Sequence, residues 1–383
     1  MYNYWSLSAC FQKESKPSKD SSDEAKFQTL LKQACSAPLT TRPIGCAVSN
    51  DFGADVLAYY LGAEQSNPYV VGYSSSAAEC VQEDHYLKRL RLHPMGIPLE
   101  AGSISPGEAI EALIPLVWQI GEPLADPLIL LKHELIQRAS NEVGTLYWSA
   151  GYPELCGEAY GGTLKGFEKK FWSSYLKESR DWLLKEYLIP TLAHISPQLA
   201  CRMFRLTHTS DWYVDYLSKL VLFDKEELTN ASPACRNIFD VEIFFHKFHH
   251  AFRVPSNISM MTYFDLKTGL PERTLLPLER FSSLYHLNLR MPFLDRSIIE
   301  WLAEIPPTSD PQTPNRGHML SSLLPHLFQE HFTQAKIHNK CEPFRGWVEE
   351  PIVLSFLNKL KNGALVENGY LCETWLESAL ATP

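Results

Sequence analysis

The chain has 383 residues, 45% hydrophobic and 21% charged, a balance that excludes wholesale disorder and fibrous classes. Single cores stop growing near ~250–300 residues, so about two structural units are expected. The net charge of −9 argues against a general nucleic-acid binder, which needs a basic face to release counterions. The nine cysteines (10, 35, 46, 80, 156, 201, 235, 341 and 372) stand singly, without the short paired spacings that hold zinc. They read as reduced thiols of a cytoplasmic protein. No basic segment leads into an apolar run at the start, and no window reaches ~18 apolar residues, so neither secretion nor a membrane association is expected.

In chain order, the polar stretch 11–23 ends in Ser21-Ser22-Asp23-Glu24, which reads as a capping box opening a helix. Phe27, Leu30, Leu31 and Ala34 follow at i, i+3, i+4, i+7, one apolar face of that helix. Pro43 breaks the chain before an expected strand, Ile44–Ser49, and Val56, Leu57, Tyr59 and Tyr60 give the next helix its buried side up to Gly62. A second strand is expected at 68–73. Helical patterns follow over 83–92 and 105–120, the latter with Ser105 as cap, Pro106 in the first turn and Glu108 as the N-terminal acid. Next come a helix over 128–140 and a strand over 144–149. Strands alternating with helices over 40–150 predict a parallel sheet covered on both faces. Beyond about 165 the pattern turns to long, aromatic-rich helical stretches. The division expected is therefore a linker and lead-in helix over 1–40, an α/β nucleotide domain over 41–165, and a helical substrate-side region over 166–383.

The junction Ile44-Gly45-Cys46-Ala47-Val48-Ser49-Asn50-Asp51-Phe52-Gly53-Ala54-Asp55 runs from a buried strand through a short polar loop into a helix. Such junctions bind phosphate, because unpaired N–H groups at a helix start point outward with roughly half a positive charge. This loop has a single glycine, Gly53, and puts the negative Asp51 where a negative ligand would sit.

Several segments carry a resemblance. Gly121-Glu122-Pro123-Leu124-Ala125-Asp126-Pro127, Arg290-Met291-Pro292-Phe293-Leu294-Asp295, Leu270-Pro271, Glu279-Arg280-x-Ser282 and Tyr4-Trp5-x-Leu7 resemble, in order, motifs of the asparagine synthetase family. The resemblance is to its C-terminal synthetase domain, shared with β-lactam synthetase and lasso-peptide cyclase. It covers roughly residues 4–350, starting where the family's glutaminase half would end. It implies a parallel α/β sheet of the adenine-nucleotide α-hydrolase (ATP-pyrophosphatase, PP-loop) type, followed by a mainly helical region. It also implies ATP-dependent adenylation of a carboxylate, amide formation and release of pyrophosphate, with ATP and magnesium as cofactors.

The resemblance places Ser49, Asn50, Asp51, Gly53 and Ala54 on the family's pyrophosphate loop, and Val71, Gly72 and Tyr73 where its backbone holds adenine. Ser149 and Gly151 fall on the second motif, Ser-Gly-Glu-Gly-Ala-Asp-Glu. At the two magnesium aspartates this chain has Gly53 and Pro153. Magnesium on phosphates uses one or two carboxylates, so the replacements bear directly on activity. Asp51 is the candidate replacement metal ligand, with Glu154 as a second acid. Asp55, two residues past Gly53, is rotated about 200° away. The family's late lysine matches Lys340, which with Glu154 makes the candidate catalytic pair; a solvated surface lysine is the alternative for Lys340. Pro277 and Glu279 replace a lysine and an aspartate. Asp126 and Asp295 sit in the best-matched segments and read as helix caps or buried hydrogen-bonding anchors, with the structural role favoured for Asp295.

Two other patterns stand in the chain. Glu242, His246, His249 and His250 share a helical face and could hold zinc, although interleaved Phe244, Phe245 and Phe248 suit an ordinary amphipathic helix better. Asp51-Phe52-Gly53 imitates a kinase triplet without the rest of that machinery. Three expectations follow: a divergent family member with impaired or lost chemistry that binds a ligand or partner, an active amide ligase or cyclase, or a decayed fragment. An active ligase would take a small-molecule or peptide carboxylate, with free ammonia, an internal amine or a partner protein supplying the missing amine.

Overall fold

The computed structural model describes residues 5–12, 21–36, 43–49, 51–63, 70–77, 92, 95–122, 126–156, 225–232, 262–305 and 347–381. The expected parallel α/β sheet is present. β1 (Ile44–Ala47) is buried at every position, as a strand covered on both faces demands. Parallel to it lie β2 (Val70–Ala77) on one side and β4 (Thr145–Tyr147) on the other, with β3 (Leu99–Ile104) beyond β2 and β5 (Asn288–Arg290) beyond β4. The order β3-β2-β1-β4-β5 reverses direction between β1 and β4. In open parallel sheets that reversal leaves a crevice at the carboxyl ends of the two strands.

Three features depart from the expected strands. β2 runs on to Ala77, because Gly72 to Ala77 find partners in Leu99 to Ile104 of β3. β3 itself reads Leu-Glu-Ala-Gly-Ser-Ile, which has no clean alternation to mark it as a strand. β5 falls in the region read as helical; three residues are too few to show a period, and pairing with Thr145–Tyr147 is what makes them a strand.

Two groups of helices cover the sheet. α1 (Ser21–Cys35) packs on α2 (Phe52–Ala63) and on α7 (Arg296–Glu304), and its apolar stripe closes the contact. Phe27 and Leu31 are fully buried, and Phe27 stacks on Trp301 with centroids 5.2 Å apart and an 18° interplanar angle. Burying a side chain of this size contributes about 1.5–3 kcal/mol. The second group is α3 (Pro106–Ile120), α4 (Leu128–Glu142) and α6 (Leu276–Leu284), with α4 lying on β2 and β3. α3 starts as its residues dictate: Ser105 and Glu108 form a reciprocal capping box and Pro106 sits in the first turn. A short helix, α5 (Tyr152–Cys156), follows β4.

The chain divides into two compact units, residues 1–159 with 262–356 and residues 160–261 with 357–383. The first contains the whole sheet. In the second, the Cys372 N–H donates to the Ala231 carbonyl at 2.8 Å, joining the helices Lys225–Ala231 and Glu373–Ala381. Among the described residues no helix is long and apolar enough to cross a membrane.

Candidate functional site

A cavity of about 360 Å³ opens where the strand order reverses. Its floor is the carboxyl ends of β1 and β4, with Ala47, Val48 and Ser49 on one and Trp148, Ser149 and Ala150 on the other. Leu128, Leu131, Lys132 and Leu135 of α4 form one wall, at the spacing i, i+3, i+4, i+7. Leu270 and Thr274, from or beside two π-helical turns (Asp265–Gly269 and Pro271–Leu275), line another. π-Helical turns recur at functional sites because they re-aim side chains that a regular helix would point elsewhere.

Asp51 lies at the centre and is already engaged. Its carboxylate accepts from the Ser49 hydroxyl, from the Ser149 hydroxyl at 3.0 Å, and from the Ala54 N–H at 3.0 Å. The last contact makes Asp51 the N-cap of α2. The chain's own carboxylate therefore occupies the helix start that would otherwise receive a phosphate. Burial pushes the Asp51 carboxyl above the ordinary aspartate range; the bonds from Ser49, Ser149 and Ala54 pull it back, and Asp55 adds to the rise.

Glu154 and Lys132 are the other charged groups on the cavity. The Glu154 Oε2 is buried and has no hydrogen-bond partner among the described residues. Burial, with Asp265 and Asp51 nearby, pushes the Glu154 carboxyl up to about 7, while its own backbone N–H and Arg273 oppose the rise. Burial pulls the Lys132 ammonium below the usual lysine range, and Asp126, 3.7 Å away, counteracts this. Lys132 was missed from sequence; its signal was a lysine at i+4 on the Leu128, Leu131, Leu135 stripe. Ser75, further along β2, was also missed.

Of the residues singled out from sequence, Ser49, Asp51, Ser149, Gly151 and Glu154 meet at this cavity. Gly53, Ala54, Val71, Gly72 and Tyr73 do not line it. Gly72 and Tyr73 are mid-strand and committed to the ladder: the Gly72 N–H donates to the Pro98 carbonyl at 2.8 Å, and the Tyr73 carbonyl accepts from the Val48 N–H at 2.8 Å. Asp55 is buried away from the cavity, as its rotation along the helix required. Asp126 accepts from the Leu128 N–H at 3.0 Å, and Asp295 from the Ser297 N–H at 2.8 Å, where it caps α7. Asn50, Lys340, the helix expected over 83–92 apart from Leu92, and the Glu242–His250 cluster lie outside the described residues.

The two glycines of the junctions have different reasons. Gly151 sits at φ +90°, a left-handed turn off β4 that favours glycine, with Leu294 packed over it. Gly53 is held by space: a Cβ there would fall 2.4 Å from Cγ and 2.7 Å from Cβ of Tyr152. Those atoms are close to the Tyr152 backbone and cannot swing aside. The Tyr152 ring is fully buried, edge-on to Phe52 at 6.4 Å and to Phe293 at 5.2 Å.

The asparagine synthase family profile matches residues 89–382, more than half of the chain. This chain belongs to the asparagine synthase family. It is also similar to asparagine synthetase [glutamine-hydrolyzing] 1 of Bacillus subtilis (strain 168), 21% identical over 293 residues. That stretch is 73% of this chain and 44% of the Bacillus protein, so the chain spans less than half the length of this curated relative. Family membership accords with the sheet, which is of the α/β ATP-pyrophosphatase type. The matched residues begin after the loop at 49–54.

The asparagine synthase family carries out ATP-dependent amide-bond formation and works with ATP and magnesium. The two positions where the resemblance puts the magnesium aspartates do not fit that ion: Gly53 is packed against Tyr152, and Pro153 has no ligating side chain. Both carboxylate oxygens of the neighbouring Asp51 accept hydrogen bonds from the protein.

Proposed function

We propose that this chain is a divergent asparagine synthase family member whose ATP-dependent adenylation is impaired or lost, and which acts as a cytoplasmic pseudoenzyme that binds a ligand or partner protein. One observation carries the reading: at position 53, where the resemblance puts the first magnesium aspartate, any side chain would collide with Tyr152 unless that residue shifted. The position of the second aspartate is Pro153, which has no metal-ligating side chain. Magnesium bound to phosphates needs carboxylate oxygens, and charge stabilisation by that metal is what such a site contributes to catalysis.

Isothermal titration with ATP and magnesium, followed by a pyrophosphate-release assay over candidate carboxylates, tests this directly. The expected result is no pyrophosphate release. Turnover that disappears in Asp51→Ala would overturn the proposal.

A second reading is an active ligase or cyclase taking a small-molecule or peptide carboxylate, with free ammonia, an internal amine or a partner's amine as nucleophile. It is favoured by the convergence of Asp51, Glu154 and Lys132 on one cavity. The same assay decides between the two.

A further inference from the structure

We propose that the outer face of α3 is a docking surface for an amphipathic helix of a partner protein that carries Lys and Arg beside an apolar stripe. The proposal stands apart from the chemistry of the cavity. α3 buries Ala109, Leu116 and Ile120 and turns Ile114 and Trp118 outward, one turn apart on the same face. Ile114 is 68% exposed and Trp118 87%, with the exposed Pro115 between them. Single apolar side chains at a surface are ordinary, but a contiguous ridge centred on a tryptophan is what interfaces are built on.

Along α3 and at its end the charged residues are all acids. Glu108, Glu111 and Glu122 are exposed, and the helix sequence PGEAIEALIPLVWQI contains no Lys or Arg. Among the described residues neither Glu111 nor Glu122 has an ion-pair partner. Two backbone features deepen the negative field. Pro115 has no N–H, so it leaves the Glu111 carbonyl without its in-helix donor. The helix ends at Gly121, so its partial negative charge falls beside Glu122.

This charge pattern selects the occupant. A second copy of the chain would bring the same rim against itself. Two α3 helices crossing antiparallel at Pro115–Trp118 set Glu111 of one near Glu122 of the other, and parallel crossing sets each acid on its twin. Like charges juxtaposed at an interface suppress such pairings, and the net charge of −9 opposes self-association further. A partner helix with basic flanks meets no such penalty and matches the ridge in both apolarity and charge.

The test uses the full chain and a fluorescently labelled synthetic peptide of about 20 residues, long enough to be helical in water, with a Leu stripe flanked by Lys. A control peptide has Glu for Lys. Fluorescence anisotropy should show binding of the Lys peptide and none of the Glu peptide. Trp118→Ala should weaken binding about tenfold or more and leave the Tm within about 3 °C of the parent. Glu111→Lys with Glu122→Lys should invert the preference between the peptides. The proposal is overturned by equal binding of both peptides or of neither, or by unchanged binding in Trp118→Ala. A larger fall in Tm would show that the side chain is covered within its own chain, and would overturn it too. So would a concentration-dependent dimer that Trp118→Ala abolishes, or Trp118-dependent binding to phosphatidylcholine vesicles.

Discussion

Two parts of the sheet-containing unit resemble the family to different degrees. Arg290–Asp295 keeps the letters the resemblance expects almost throughout, and four of its six residues have structural work here. The Arg290 carbonyl accepts from the Trp148 N–H at 2.8 Å, Phe293 is fully buried against Tyr152, Leu294 covers Gly151, and Asp295 caps α7. The junctions at 49–54 and 149–154, which border the cavity, have Gly53 and Pro153 where the resemblance expects aspartates. There the space and the charge are met from within: an aromatic ring fills the volume beside Gly53, and Asp51 takes the anion position at the start of α2. The difference teaches that residues whose partners lie inside the fold are held in place by packing and capping. On the function proposed here, residues whose partner would be a ligand are free to change once the protein supplies its own.

The largest effect should come from putting the aspartate back. Gly53→Asp forces a side chain into Tyr152 and adds a buried charge, and should cost at least about 3 kcal/mol in urea denaturation. In a Tyr152→Ala background the same change should cost less, with a coupling above about 1 kcal/mol. If Gly53→Asp unfolds at the parent's urea midpoint, the junction is open and the contrast with Arg290–Asp295 fails.

Glu154 sharpens the contrast through pH. The folded protein keeps this proton up to about 7, whereas an unfolded glutamate releases it near ~4.3. Between those values the native state binds more protons than the unfolded state, so the contribution is fully present below about pH 4 and is lost as pH rises through about 7. The total is on the order of 3–4 kcal/mol. Glu154→Gln should abolish this slope, seen as a Tm that rises relative to the parent's from pH 4.5 to 8. Parallel pH profiles for the two proteins would mean that the carboxyl is not buried as described.

The smallest effect belongs to the retained segment. Asp295→Ala removes one cap and should cost about 1 kcal/mol, a fall of a few degrees in Tm. A loss of all catalytic or ligand-binding behaviour without loss of stability would instead place Asp295 in the site.

Much of the scaffold was legible in the residues. β1, the apolar stripe of α1, the capping box at Ser105 and the extent of α4 followed from patterns only a few residues long. The site was legible in part. Ser49 and Asp51 were marked by the strand–loop–helix junction, and Ser149, Gly151 and Glu154 by the resemblance to the family's second motif; all five line one cavity. Lys132 and Ser75 were not marked, because a side chain on a helix wall or in the later half of a strand reaches a cavity only through the packing of that element on others. Tyr152 was passed over for the same reason: its role depends on Gly53, 99 positions earlier in the chain.

What the sequence determined alone was local: where helices start and stop, which faces are apolar, and which junctions could receive an anion. These depend on residues within a turn or two of each other, where capping bonds and periodicity act. The tertiary structure decided that β3 and β5 are strands, that Asp51 is engaged from both sides of the switch point, and that the ring of Tyr152 packs against Gly53. Each of these is a contact between distant segments, and only the assembled sheet brings them within hydrogen-bonding or van der Waals reach.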